Sequence, residues 1–201
     1  MGNKKPWWEK WDNSAKSFDI MNAGVEVRYG DKKRELIKKT EGLILLAAVG
    51  TGLDLQYFPQ NRKVVGIDIS WKMLEKSSKK LADNPPDTTL VRGDIQKLCF
   101  SDNTFDSVVT SCTFCSVPDP VLGLQELRRV LKPGGTILMF EHVRSTIFWM
   151  GPMQDFITVF TRKFGPDLNR DTRTNILKAG FTLKREENLY LDMVKLFEAE
   201  K

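Results

Sequence analysis

Leu45-Leu46-Ala47-Ala48-Val49-Gly50-Thr51-Gly52-Leu53-Asp54 decides how this chain folds. A short apolar run breaks into a Gly-Thr-Gly turn, which reads as a buried parallel strand feeding a nucleotide-type loop. A second apolar run, Val64-Val65-Gly66-Ile67, ends in Asp68, sixteen residues past Gly52. Glycine at such a turn lets the backbone approach a ligand without a Cβ in the way. An acidic residue at the neighbouring strand tip accepts hydrogen bonds from ribose hydroxyls. Together they describe a pocket for an adenosine-bearing cofactor.

A dinucleotide fingerprint wants a third glycine three residues on, where this chain has Leu55. Ala48, Gly50 and Gly52 instead approximate a Gly-x-Gly-x-Gly loop. Three further stretches follow in order. They are Val91-Arg92-Gly93-Asp94-Ile95, Phe105-Asp106-Ser107-Val108-Val109-Thr110 and Leu127-Arg128-Arg129-Val130-Leu131-Lys132-Pro133-Gly134-Gly135. With the glycine loop, they resemble the class I S-adenosylmethionine (SAM) dependent methyltransferases over roughly residues 41 to 145.

That resemblance implies SAM as cofactor and S-adenosylhomocysteine as its product. It implies cofactor-binding roles for Ala48, Gly50, Thr51, Gly52, Asp68, Ile69, Asp94, Ile95, Cys112 and Thr113. Asp94 would face the adenine amino group, and Ile69 and Ile95 would sandwich the ring through dispersion contacts. The chain departs from the pattern in two places. Leu46 stands where the family usually has an acidic residue, and Ala48 replaces the first loop glycine. Alanine fits there if the local φ is negative.

Outside the loop, strands are expected at 43–48, 63–68, 88–92, 105–111 and 136–142, and helices at 53–58, 71–82 and 119–131. A helix near 171–179 and two final strands, 181–188 and 191–198, complete a hairpin. Asp119 and Pro120 suit the start of the 119–131 helix, whose Val121, Leu124, Leu127 and Leu131 make one apolar face. Alternating elements of this kind imply a parallel sheet covered on both faces. The expected fold is α/β and Rossmann-like: seven strands, mostly parallel, closed by a C-terminal antiparallel hairpin.

Residues 1 to 40 read as a helical segment with a polar break at Tyr29-Gly30-Asp31, ahead of a SAM-binding domain at 41–201. Overall this is a single domain. This leading segment holds ten Lys or Arg against six Asp or Glu, most of a net charge of +5. Trp7, Trp8 and Trp11 lie among Lys4, Lys5 and Lys10, a combination that suits a lid over the cofactor or an anionic membrane interface. Nucleic acid is a distant alternative. The apolar stretch 147–160 follows the fifth strand, on the substrate side of such folds, and reads as a greasy wall or a core helix.

Composition is ordinary for a globular chain, with 41% hydrophobic residues. No apolar run approaches the ~18 residues of a membrane span, and the N-terminus lacks a signal-peptide core. A cytoplasmic monomer is expected, at most peripheral on the inner face of a membrane. Cys112 and Cys115 form a lone Cys-x-x-Cys with one histidine in the chain, too few ligands for a metal site.

Methyl transfer from a sulfonium needs alignment and exclusion of water more than covalent help. His142 is the candidate general base, having the one side chain whose ordinary pKa lies near neutrality. Trp11, Phe114, Arg144 and Arg170 are candidate substrate contacts, the arginines as clamps on an anionic head group. The whole chain is similar to proteins with a type-11 methyltransferase domain. These include bacterial phosphatidylethanolamine N-methyltransferases, quinone-biosynthesis C-methyltransferases and lipid-droplet-associated thiol methyltransferases. The nearer likeness rests on Cys115-Ser116-Val117-Pro118-Asp119-Pro120 and Phe140-Glu141-His142-Val143-Arg144-Ser145. A lipophilic acceptor is expected, phosphatidylethanolamine first, with quinone or thiol methylation as alternatives. A non-catalytic SAM-binding protein is the alternative from another class, favoured by Leu46 and Ala48.

Overall fold

Seven strands and six α-helices make up the computed structural model, which describes residues 6–81, 86–162 and 165–201. Lys4 and Lys5, and the expected helix end at Ala82, lie outside the described residues. Strands β1 (Leu43–Ala47), β2 (Lys63–Asp68), β3 (Asp87–Arg92) and β4 (Phe105–Ser111) run parallel with β5 (Leu131–His142). Strands β6 (Thr182–Tyr190) and β7 (Val194–Glu200) form the closing hairpin, β7 lying antiparallel against β5. The strand order is β3-β2-β1-β4-β5-β7-β6. The expected architecture is therefore present.

Central strands buried on both faces read as unbroken apolar runs, and β1 (Leu-Ile-Leu-Leu-Ala) is buried through its last four residues. Helices α4 (Pro120–Val130) and α6 (Thr172–Lys178) cover one face, through Leu124, Leu127 and Ile176. Helices α2 (Phe18–Ile37) and α3 (Trp71–Lys80) cover the other, through Tyr29, Leu36, Ile37 and Leu74. The remaining helices, α1 (Glu9–Ser14) and α5 (Met150–Thr161), lie at the carboxyl end of the strands with the loops. Asp119 caps α4 by accepting from the Leu122 amide at 3.0 Å, as its sequence position implies. Residues 53–58 make a 3-10 turn, Leu53–Tyr57, in place of a full helix.

Strand β5 begins earlier than expected. Leu131 already pairs with Phe105, and the register shifts before Ser107 meets Thr136. Lys132-Pro133-Gly134-Gly135 is thus a bulge within the strand. A Cβ at Gly135 would come within 3.0 Å of the Asp106 carbonyl oxygen, so only glycine fits that crossing.

The expected break at Tyr29-Gly30-Asp31 does not exist, since α2 runs through it. Gly30 is buried, and a Cβ there would sit 2.7 Å from the Tyr57 hydroxyl. The glycine serves close approach. Tyr57 donates to Glu26 at 2.6 Å, and the buried Lys33 ammonium bridges Glu26 at 2.6 Å and Asp54 at 2.5 Å. Burial opposes the Lys33 charge, but Asp54 and Glu26 outweigh it and raise its pKa. This cluster fastens α2 to the turn that follows the glycine loop. Gly30→Ala should therefore destabilise the protein by about 1–3 kcal/mol through overpacking, although alanine is the better helix former by about 1 kcal/mol. Urea unfolding of the two proteins checks the sign.

Candidate functional site

The glycine loop and Asp68 meet at the carboxyl ends of β1 and β2, the crevice where open α/β sheets take ligands. Asp68 is buried, and each of its oxygens receives a backbone amide. Gly50 donates at 2.9 Å and Ser70 at 2.8 Å. A carboxylate oxygen has room for a further donor, so both still offer acceptor capacity to ribose hydroxyls. Burial pushes the carboxyl up to about 6, helped by the nearby Asp12 charge and opposed by backbone hydrogen bonds from Ser70, Gly50 and Ile69.

Two non-glycine residues in left-handed backbone flank this point. Ala48 has φ 56° and Cys112 φ 49°, one after β1 and one after β4. The condition under which alanine would fit without strain, a negative φ, is not met at Ala48: the residue occupies a glycine-type conformation, at a cost of roughly 1–2 kcal/mol. Both line the cleft. Strain that persists at a strand tip is held there by its surroundings. Here the neighbours are hydrogen-bonded across the strands, since the Cys112 amide donates to the Phe140 carbonyl at 2.7 Å and Thr113 Oγ1 to the Ala47 carbonyl at 3.3 Å.

Glu141, fully buried on β5, holds the loop after β4 from beneath. It accepts from Thr110 Oγ1 at 2.7 Å and from the Thr113 and Phe114 amides at 3.2 Å. Burial pushes its carboxyl up to about 7. Sequence reading passed over this positioning role, although the acidic residue inside an apolar strand was the available signal.

The cleft has a volume of about 100 Å³. Its lining brings together Ala48, Gly50, Asp68, Ile69, Asp94, Ile95, Cys112, Thr113 and Trp11 from the sequence reading. Thr51, Gly52 and Phe114 do not line it. Thr51 Oγ1 donates to Asp19 at 2.5 Å, Gly52 packs on Ser77 with φ 82°, and Phe114 is wholly core. The Asp94 side chain is engaged locally by the Gln96 amide at 2.9 Å. Met73, Ser116 and Val117 also line the cleft, and so does Phe18, the first residue of α2.

The volume lies below the ~300–1,000 Å³ usual for ligand pockets, because Trp7, Trp11 and Phe18 close over it. This leading segment is tethered at several points. Asp12 accepts from Ser70 Oγ at 2.5 Å, Asp19 pairs with Lys80 at 3.0 Å, and the Arg92 guanidinium sits 5.2 Å from the Trp8 ring centre. Trp11 Nε1 is buried without a hydrogen-bond partner. A donor left unpaired beside an acceptor-rich carboxylate fits a cleft that takes a polar ligand.

A second cavity of about 940 Å³ adjoins the first through Trp7 and Ser116. It is lined by Lys10, Cys115, Arg162, Asp167 and Arg170, among others. Arg170 and Arg162 pair with Asp167 at 2.7 and 3.2 Å, and Lys10 Nζ donates to the Gly165 carbonyl at 2.7 Å. Arg170 thus lies at this cavity. Arg144 does not, being paired with Asp155 at 2.8 Å. His142 lines neither cavity; burial lowers its pKa and its Nδ1 has no partner. Burial pushes the Cys115 thiol up to about 12 and raises Cys112, away from thiolate chemistry.

Comparison with known proteins defines the class. Residues 45–139 match the methyltransferase domain family. Demethylmenaquinone methyltransferase from Symbiobacterium thermophilum is 35% identical over 144 residues, covering 66% of this chain and 57% of that protein. Its Staphylococcus aureus counterpart is 32% identical over 155 residues, covering 72% and 64%. The chain thus spans about three-fifths of the length of these relatives. Among solved structures, a SAM-dependent methyltransferase from Thermotoga maritima, described as a possible histamine N-methyltransferase, shares the fold. It superposes with TM-score 0.73 at 18% identity, covering 96% of this chain and 99% of that one. A SAM-dependent methyltransferase from Aquifex aeolicus gives TM-score 0.72 at 18% identity over 94% and 97%. The match over residues 45–139 is to a methyltransferase domain, and the superpositions show that the whole chain has the fold of these SAM-dependent methyltransferases.

The raised Asp68 pKa sets a pH dependence. Its folded value lies above the ordinary 3.8, so burial of Asp68 favours folding at acid pH, a contribution lost as pH rises through about 6. Cofactor binding runs the other way, because the ionised carboxylate is the better acceptor. SAM affinity should fall as pH drops through about 6, by up to tenfold per unit. Calorimetric titrations between pH 7.5 and 5 read it directly.

Proposed function

We propose that the chain transfers the methyl group of SAM to a lipophilic acceptor, and that the acceptor atom is a ring carbon of a demethylquinol. The observation that carries this reading is the cation-lined cavity of about 940 Å³ opening off the Asp68 cleft. The demethylmenaquinone methyltransferase relatives favour it over the phospholipid head group expected first. No helix among the described residues is long and apolar enough to cross a membrane.

Asp68 would hold the cofactor ribose, Ile69 and Ile95 the adenine, and the Cys112–Thr113 turn the methionine end. The bound cofactor supplies an electrophilic methyl group. The chain's own work is alignment, exclusion of water and control of one proton. Trp7, Trp11 and Phe18 act as a lid, opening for the cofactor and excluding water when closed. In the larger cavity Lys10, Arg162 and Arg170 stabilise negative charge on a quinol oxygen, which raises the nucleophilicity of the ring carbon beside it. Glu9 and Asp167 are the carboxylates lining that cavity, and Asp167, beside both arginines, is the one we assign to take the proton. His142, outside both linings, has no direct part in this scheme.

The test is a substrate panel with purified protein, containing a demethylquinol, phosphatidylethanolamine and an alkyl thiol. Released S-adenosylhomocysteine is measured and each product is identified by mass. A C-methylated quinol is expected. Arg170→Gln should lower its formation roughly 10- to 100-fold while SAM affinity stays within about twofold, since Arg170 is outside the cofactor cleft. Methylated phosphatidylethanolamine or thiol with the quinol unchanged would overturn the acceptor assignment.

A further inference from the structure

Helix α5 is turned inside out. A surface helix ordinarily buries its apolar stripe and exposes its polar one. Here the buried residues are Met150, Gly151, Gln154 and Thr158. The opposite stripe exposes Trp149, Met153, Phe156, Val159 and Phe160, with Phe148 92% accessible just ahead of it. The Phe156 and Phe160 rings pack edge to face at 5.3 Å, so the stripe is a continuous aromatic ridge. Single exposed apolar residues are ordinary, but a contiguous ridge of this size marks a contact surface.

The orientation is fixed by polar bonds and is no accident of a loosely docked helix. Gln154 Oε1 accepts from the Ser145 amide at 2.7 Å, and its Nε2 donates to the Val143 and Leu168 carbonyls at 3.1 and 3.0 Å. Thr158 Oγ1 accepts from the Leu168 amide at 3.1 Å. Rolling the helix to hide its aromatics would break these buried bonds and leave several backbone groups unsatisfied, which is costly. The sequence has thus placed hydrogen-bonding residues where they hold the aromatic ridge outward.

We propose that this ridge is the site at which the protein docks on the surface of an anionic phospholipid bilayer. The occupant follows from the rim. The one carboxylate of α5, Asp155, is already engaged by the Arg144 guanidinium and by Asn169 Nδ2 at 3.0 Å. Arg162, at the C-terminal end, gives its Nε to Asp167 at 3.2 Å but keeps 65% of its side chain accessible. A second copy of the same face would bring cations and aromatics without free carboxylates to meet them. Anionic head groups supply that complement, and Trp and Phe suit the acyl boundary beneath. Arg162 also lines the larger cavity, so the docked face adjoins the mouth through which a greasy acceptor would enter. The Trp7 and Trp11 side chains, the other interface candidates from the sequence, line the cleft instead.

The docking claim stands apart from the identity of the acceptor. Its test uses the full chain with vesicles of phosphatidylglycerol and phosphatidylcholine, and with phosphatidylcholine alone. The wild type should sediment with the anionic vesicles, less at high salt and less with the neutral ones. Phe156→Glu with Phe160→Glu should weaken this at least about tenfold, with SAM affinity in the same samples unchanged. Trp7→Ala with Trp11→Ala should leave sedimentation within about twofold while weakening SAM binding. Brominated lipid should quench wild-type tryptophan emission, and Trp149→Phe should remove most of that quenching; this arm needs no charged variant to fold. A wild type that ignores anionic vesicles, or a Phe156→Glu, Phe160→Glu variant that binds as the wild type does, overturns the proposal. So does a wild-type dimer, seen by ultracentrifugation, that the same variant dissociates without any vesicle binding. SAM binding retained in those samples would leave the methyl-transfer reading intact.

Discussion

The carboxylate of Asp68 is the point on which the site depends. It closes the gap between two parallel strands by taking the Gly50 amide from the loop after β1 and the Ser70 amide at the start of α3. Those bonds fix the loop height, the start of α3 and the cleft between them with one group. The same burial that makes the bonds strong disfavours the charge, which is why the carboxyl is pushed up to about 6. The structural anchor and the proposed ligand acceptor are therefore the same side chain.

Around this anchor the strain is distributed and held. Ala48 and Cys112 both sit in left-handed backbone on neighbouring strand tips. Glu141 grips the loop beyond Cys112 through two amides, and the Lys33 cluster grips the turn beyond Gly52. Each is a buried polar group satisfied by several partners, the arrangement that rigidifies a site when complete. The domain match at 45–139 covers the strands and loops around the Asp68 cleft, whereas α1, α5 and most of the residues lining the larger cavity lie outside it. The features that would choose the acceptor belong to these outer segments.

Legibility in the sequence followed the same division. The β1 loop and Asp68 were readable because apolar runs ending in Gly and Asp leave few alternatives in a parallel sheet. Asp119 was readable as a local cap, a nearest-neighbour property. Gly30 was not, because composition alone cannot distinguish a helix break from a close approach to a tyrosine distant in sequence. Ala48 misled for a related reason, since backbone conformation there is imposed by the strands around it. The 147–160 stretch was seen to be greasy, but its direction depended on Gln154 and Thr158 finding partners across the fold. His142 stood out by chemistry, yet its position on β5 turns it away from both cavities.

The most direct test of the central claim is the affinity of S-adenosylhomocysteine for Asp68→Ala against the wild type, by calorimetry at pH 7.5. Loss of a hydrogen-bonded charged partner removes about 1.5–3 kcal/mol, so the dissociation constant should rise roughly 10- to 150-fold, with the variant still folded by circular dichroism. An unchanged constant in a folded variant would contradict the account, because the ligand would then bind somewhere other than the cleft that Asp68 anchors.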